Sequence, residues 1–186
     1  MPGLGPRLTA ALLEHFGSAA AVLRARPAQL QEVPHIGEKV ANEICQALSR
    51  IEVDKELEQM ERHDVHLLAL GAANYPASLA SISDPPHMLY VRGTLTPADA
   101  NAVALVGSRS CTAYGRRVTE RLAKGLVQAG FTIISGLARG IDGVAHRAAL
   151  EAGGRTLAVL AGGLSKIYPP EHADLCLLYT SPSPRD

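Results

Sequence analysis

The feature that most constrains this chain is a strand–loop–helix unit repeated through its second half. Residues 102–107 (AVALVG) form a short apolar run closed by glycine, followed by SRSCTAY and an amphipathic stretch from about Gly115 to Ala129. Residues 131–135 (FTIIS) are a second run, followed by GLARG and a helical stretch from about Ile141 to Ala152. Residues 156–163 (TLAVLAGG) are a third. Apolar strands alternating with amphipathic helices specify a parallel sheet covered on both faces. Right-handed crossovers then set all three strand-end loops at one edge of the sheet, the edge where open α/β sheets bind ligands.

Each loop has its own chemistry. Gly107-Ser108-Arg109 combines close backbone approach, a hydroxyl and a forked guanidinium suited to phosphate. It is not GxGxxG, which weakens a dinucleotide reading. The alternative is a tight turn with a solvated arginine. Ser135-Gly136-Leu137-Ala138-Arg139-Gly140 places two glycines and a cation before a helix, again suiting an anion cradle. Asp142, near the helix start, reads as a capping carboxylate more than as a direct ligand. His146, one turn later, reads as its i,i+4 partner, and a general-base role lacks a nucleophile to serve. Gly162-Gly163 closes the third strand. These loops hold no carboxylate dyad, catalytic cysteine or metal-ligand set, so the expectation is a binding protein with no cofactor, not an enzyme.

Charge points to the same half. The 186 residues carry 18 Lys+Arg and 18 Asp+Glu. Residues 1–100 hold 8 basic and 12 acidic side chains, residues 101–186 hold 10 basic and 6 acidic, so the halves are −4 and +4. Between 107 and 147, Arg109, Arg116, Arg117, Arg121, Lys124, Arg139 and Arg147 face only Glu120 and Asp142. A bound anion is expected there. Cys45, Cys111 and Cys176 are odd in number and scattered, which suits a reducing compartment. Without a long apolar stretch or signal pattern, the expectation is a cytoplasmic protein with no membrane partner.

The first half carries an internal repeat. PGLGPRLTAALL (2–13) and PHIGEKVANEIC (34–45) align at an offset of 32, pairing Leu4 with Ile36, Gly5 with Gly37, Leu8 with Val40 and Leu12 with Ile44. Each copy is a glycine turn entering a helix with apolar residues at i and i+4. Between them, Gly17 ends one helix and Pro27 opens another. Residues 51–64, with six acids and two bases, read as a solvated helix. VHLLAL and MLYVRG read as strands, separated by Asp84-Pro85-Pro86, which forbids helix.

The repeat resembles a tandem helix-hairpin-helix module. That resemblance implies that hairpin amides and a following basic residue hold a DNA phosphate, which would make Gly3, Gly5 and Arg7 auxiliary contacts. The second copy departs at His35, whose Cβ hinders close approach. The other reading is a packing unit that places another domain. The fold class is thus α/β: a Rossmann-like parallel sheet flanked by helices, preceded by a small all-α, helix-hairpin-helix (SAM-like) domain.

LVGSRSCTAYG and IISGLARGIDGVAHRAALEAGGRTLAVLAGGLSKIYPPEHADL, with the lead-in YPASLASISDPPHMLYVRG, resemble the DNA-processing protein A (DprA/Smf) family over roughly residues 1–175. The resemblance implies sequence-independent binding of single-stranded DNA, loading of RecA in natural transformation, a homodimer in the full-length family, and no catalysis. It implies that Gly107, Ser108 and Arg109 and the loop Ser135, Gly136, Arg139 and Gly140 hold consecutive phosphates. Tyr114, Gly115, Asp142, His146, Gly162 and Gly163 complete the candidate contacts. The expected division is 1–64 helical, 65–101 a linking extension, and 102–175 an incomplete Rossmann-like DNA-binding domain. The family's later Ser-Glu-Pro and Arg-Asn-Arg segments do not occur here, and residues 176–186 read as a non-native tail.

Two enzyme classes share this sheet. Rossmann-like phosphoribohydrolases carry a Pro-Gly-Gly-x-Gly-Thr loop with a nearby glutamate, where this chain has AGGLSK. An NAD-dependent oxidoreductase is opposed by the missing GxGxxG and ribose-binding acid.

Overall fold

A computed structural model describes residues 4–175. Gly3 and the tail 176–186 lie outside the described residues. The chain forms two compact units, one running through Glu58 and including Ala69–Leu89, the other comprising Gln59–Leu68 and the chain from Tyr90 onward. This partition assigns parts of 65–101 to both units, where the sequence suggested one linking extension.

In the first unit, helix α1 (Pro6–Phe16) starts from Gly5 with Pro6 in its first turn, and ends at Gly17 in a left-handed conformation (φ 73°), whose N–H donates to the Leu13 carbonyl. Left-handed closure at such a position is what glycine allows without a Cβ penalty. Helices α2 (Ala19–Arg24) and α3 (Pro27–Leu30) follow, α2 capped by the Ser18 hydroxyl, which accepts from Ala21 N–H. Helix α4 (Glu38–Ser49) starts from Gly37. The two repeat glycines have the same backbone, φ −84°, ψ 174° at Gly5 and φ −83°, ψ 174° at Gly37. The paired apolar positions Leu4 and Ile36, Leu8 and Val40, Leu12 and Ile44 all join one core, with Leu30, Val33 and Ala41. The sequence repeat is therefore a structural repeat that builds a shared core. His35, in the second hairpin, has φ 70°, a backbone state uncommon for a residue with a Cβ.

Helix α5 (Val53–Arg62) has no buried residue, as its charge pattern predicts. Strand β1 (Val65–Ala69) pairs with β2 (Met88–Arg92) in a two-stranded sheet, and the short helix α6 (Ala77–Ala80) lies between them in sequence. Pro85 and Pro86 are outside any helix.

In the second unit, β3 (Ala102–Ala104), β4 (Thr132–Ser135) and β5 (Thr156–Ala158) form a parallel sheet in the order β3-β4-β5. Its register aligns Val103 with Ile133 and Thr156, and Ala104 with Ile134 and Leu157. Helix α7 (Ala113–Gln128) joins β3 to β4 and α8 (Ile141–Glu151) joins β4 to β5. Ile133 is fully buried against Ala123 of α7 and Ala145, Ala148 and Ala149 of α8, so both helices cover the same face. Small alanines at this seam let the two helices approach closely.

Consecutive strand order with right-handed crossovers puts both helices on one side. The expectation of cover on both faces is therefore not met among the described residues, and Ala104 of β3 is exposed. At the edge away from the strand-end loops, Asp99 staples the sheet. Its carboxylate accepts from Arg155 Nε (2.6 Å) and Nη2 (2.9 Å), Thr96 N–H (2.7 Å) and Thr132 Oγ1 (3.2 Å). Burial works against its charge, but the bonds from Arg155, Thr96 and Thr132 outweigh this and hold its pKa below the usual carboxylate value.

Candidate nucleic-acid interface

The first two strand-end loops meet. Gly140, at φ 76° and ψ −127°, lies against the Ser108–Arg109 peptide so closely that an added Cβ would collide with Ser108 O and Arg109 C. The Ile141 N–H at the start of α8 donates to Ser108 O (3.1 Å). A Cβ on Gly107 would stand 2.7 Å from Ile141 Cγ1. Both glycines are thus required by close packing, which seats Gly107-Ser108-Arg109 over the N-terminus of α8. Ser108 and Arg109 are exposed, and Ser108 Oγ accepts from Ser110 N–H (3.2 Å).

The second loop is braced from inside. Ser135 is buried and its hydroxyl donates to Leu105 O (2.5 Å). Asp142 is buried, and its Oδ2 accepts from Gly136 N–H (3.1 Å). Its carboxylate therefore closes the loop, while Gly140 holds the capping position of α8. This corrects the reading of Asp142 as the cap of its own helix. Gly136 is confined by the same contact, since a Cβ there would lie 2.9 Å from Asp142 Oδ2. The Gly136 amide is consequently already used. Leu137 is fully buried with φ 58°.

His146 is 0% exposed. Its Nδ1 shares a 2.7 Å hydrogen bond with Thr156 Oγ1, which donates to Ile133 O (2.7 Å). Desolvation lowers its pKa to about 4, with Asp142 favouring and His172 opposing the proton. His146 is a core residue joining α8 to β5, and burial removes it from any surface contact with a ligand.

Tyr114 is 72% exposed in the first turn of α7. Gly115 N–H is taken by the Thr112 hydroxyl that caps this helix (3.1 Å). Arg116, Arg117 and Arg121 are exposed along α7, and neither they nor Arg109 has a carboxylate partner among the described residues. Arg139 and Arg147 differ. Arg139 pairs with Glu171, and Arg147 pairs with Asp174. The hydrogen bond from Arg139 holds Glu171 down to about 2. Gly162 and Gly163 are exposed with open space around their Cα atoms. In the helical unit Gly5 and Arg7 are exposed.

The sequence reading passed over Tyr168, Glu171 and His172. An acid within a positive half was the available signal, but its partner lies 32 residues away in sequence.

The family model described as DNA recombination-mediator protein A matches residues 66–179. The chain belongs to this DprA/Smf family. A second family model, a SAM-like helix-hairpin-helix tandem, matches residues 1–50, the segment holding the structural repeat. Protein Smf of Synechocystis sp. is 37% identical over 177 residues, covering 93% of this chain and 44% of the relative. DNA processing protein DprA of Bacillus subtilis is 41% identical over 112 residues, covering 60% of this chain and 38% of the relative. The DprA/Smf chain described here thus spans less than half the length of these curated relatives. The X-ray structure of DprA from Streptococcus pneumoniae superposes with a TM-score of 0.77 at 28% identity, over 96% of this chain and 60% of that one. A Helicobacter pylori DprA structure, concerned with that protein's single-stranded DNA binding mode, gives a TM-score of 0.54 at 29% identity, over 63% of this chain and 52% of that one.

Proposed function

We propose that this chain binds single-stranded DNA without sequence preference, through its phosphates, as the recognition part of a DNA-processing protein acting in natural transformation. The observation that carries this reading is the packing of two glycine-bearing loops on each other at a helix N-terminus. That packing presents the exposed, carboxylate-free Arg109, and Arg116 and Arg117 are likewise exposed on α7. A helix N-terminus with unpaired guanidinium groups favours an anion and reads no base. The H. pylori relative's single-stranded DNA binding mode supports the same ligand. Ser108, Arg109, Tyr114 and Arg139 are the proposed direct contacts. Gly107, Gly115, Ser135, Gly136, Gly140 and Asp142 shape the loops, and the third loop, Gly162-Gly163, extends the path.

The proposed role is binding without turnover, in the cytoplasm, with RecA loading and homodimerisation as properties of the longer protein. Gly5 and Arg7 are proposed as auxiliary phosphate contacts of the helical unit. Anisotropy titration of labelled oligo-dT, with Arg109→Ala beside the unmodified chain, tests the reading. Salt-sensitive binding weakened by the substitution is expected. A folded chain that leaves oligo-dT unbound would overturn it.

A further inference from the structure

Two basic side chains of the second unit are matched by carboxylates from a single segment, residues 168–175. Arg139 Nε and Nη2 reach Glu171 Oε1 and Oε2 at 2.5 and 3.2 Å. Arg147 reaches the two oxygens of Asp174 at 3.0 and 3.4 Å. The Tyr168 ring lies 5.7 Å from the Arg139 guanidinium. This segment also has anchors independent of its acids. His172 Nδ1 meets Leu137 O at 2.8 Å, and its ring fills the space a Cβ on Gly143 would need. Pro169 and Leu175 are buried. The segment is therefore held in place without Glu171, whose side chain is 51% exposed.

Two carboxylate oxygens on one guanidinium edge present the geometry in which a phosphate binds the same fork. We propose that Glu171 is a built-in competitor for phosphate at Arg139, so that the second loop's cation joins the DNA interface only when a phosphate displaces the carboxylate. This rests on the reading of the two loops as a phosphate site. An exposed ion pair of this kind is weak, so exchange is reversible and fast. A strand already held at Arg109 presents its next phosphate to Arg139 at high effective concentration, whereas a free phosphate has no such advantage. Glu171 therefore favours a continuous strand over mononucleotides and inorganic phosphate. The carboxylate stays ionised at working pH, so the release is by an anion and not by a proton.

The test is anisotropy of labelled oligo-dT with the full chain and its Glu171→Gln, Arg139→Ala, doubly substituted and Asp174→Asn forms, over a salt series. Glu171→Gln is expected to tighten binding by roughly 2- to 5-fold, as removal of a surface ion-pair partner allows, and to steepen the salt slope by about one unit. The gain is expected to vanish in the Arg139→Ala background and to be absent in Asp174→Asn. Unchanged or weaker binding by Glu171→Gln overturns the proposal while the wild-type binding it is measured against stands. An equal gain in Asp174→Asn also overturns it, because general loss of negative charge then accounts for the effect. Absence of binding by every folded form defeats the phosphate-site reading itself, and the competitor with it.

Discussion

Arg109 and Arg139 each follow a parallel strand, yet they meet different surroundings. Arg109 is exposed with no carboxylate partner among the described residues, while Arg139 is occupied by Glu171. Arg109→Ala is therefore expected to weaken oligonucleotide binding about equally for all sequences and to reduce the salt slope by roughly one unit. A titration in two homopolymers over a salt series checks this, and an unchanged slope would contradict a phosphate contact there. His146 gives a prediction on stability. Its folded pKa, about 4, lies below the ordinary 6.5, so the unfolded chain binds the proton first as pH falls. The stability it contributes is full above pH 6.5 and is lost progressively between 6.5 and 4, up to roughly 3 kcal/mol. Denaturant unfolding of wild type should fall more steeply across that window than that of His146→Gln. Parallel curves would count against it.

Among the elements, the strands and helices of the second unit were legible because their apolar runs and helical periods are unambiguous. β3 is shorter than its run. AVALVG extends to Val106, but the strand ends at Ala104 and Val106 is 71% exposed, because the backbone turns there into the loop. The 32-residue offset in the first unit was legible over its described positions, where Gly5 and Gly37 have closely matching backbone angles. Long-range partners were not. Neither the Thr156 partner of His146 nor the Glu171 partner of Arg139 leaves a periodic trace, since each is fixed by how elements pack. The joining of the two loops was foreseen only as a shared sheet edge, whereas their contact depends on Gly140. Its backbone is in a region essentially restricted to glycine, and Gly140→Ala should cost at least about 2 kcal/mol. The substitution should weaken oligo-dT binding too, through displacement of Ser108 and Arg109. Thermal unfolding with a parallel titration checks both, and a variant as stable as wild type would refute the packing argument.

Across the whole molecule, charge and architecture agree. The acidic half forms the helical repeat and the leading extension, and the basic half forms the sheet with its strand-end loops. Bracing is divided between the two ends of that sheet, with the Asp99–Arg155 network at one and the glycine-packed loops at the other. No helix among the described residues is long and apolar enough to cross a membrane. The chain covers less than half of its curated relatives, and RecA loading and dimerisation are proposals about the longer protein. Phosphate binding is the proposed property for which this chain can be tested alone. The most direct measurement is the affinity of the unmodified chain for oligo-dT and for a duplex of the same length, across a salt series. The account predicts preference for the single strand with a log–log salt slope of about −2 to −3, as three or four phosphate contacts give. Equal affinity for both, or binding indifferent to salt, would contradict it.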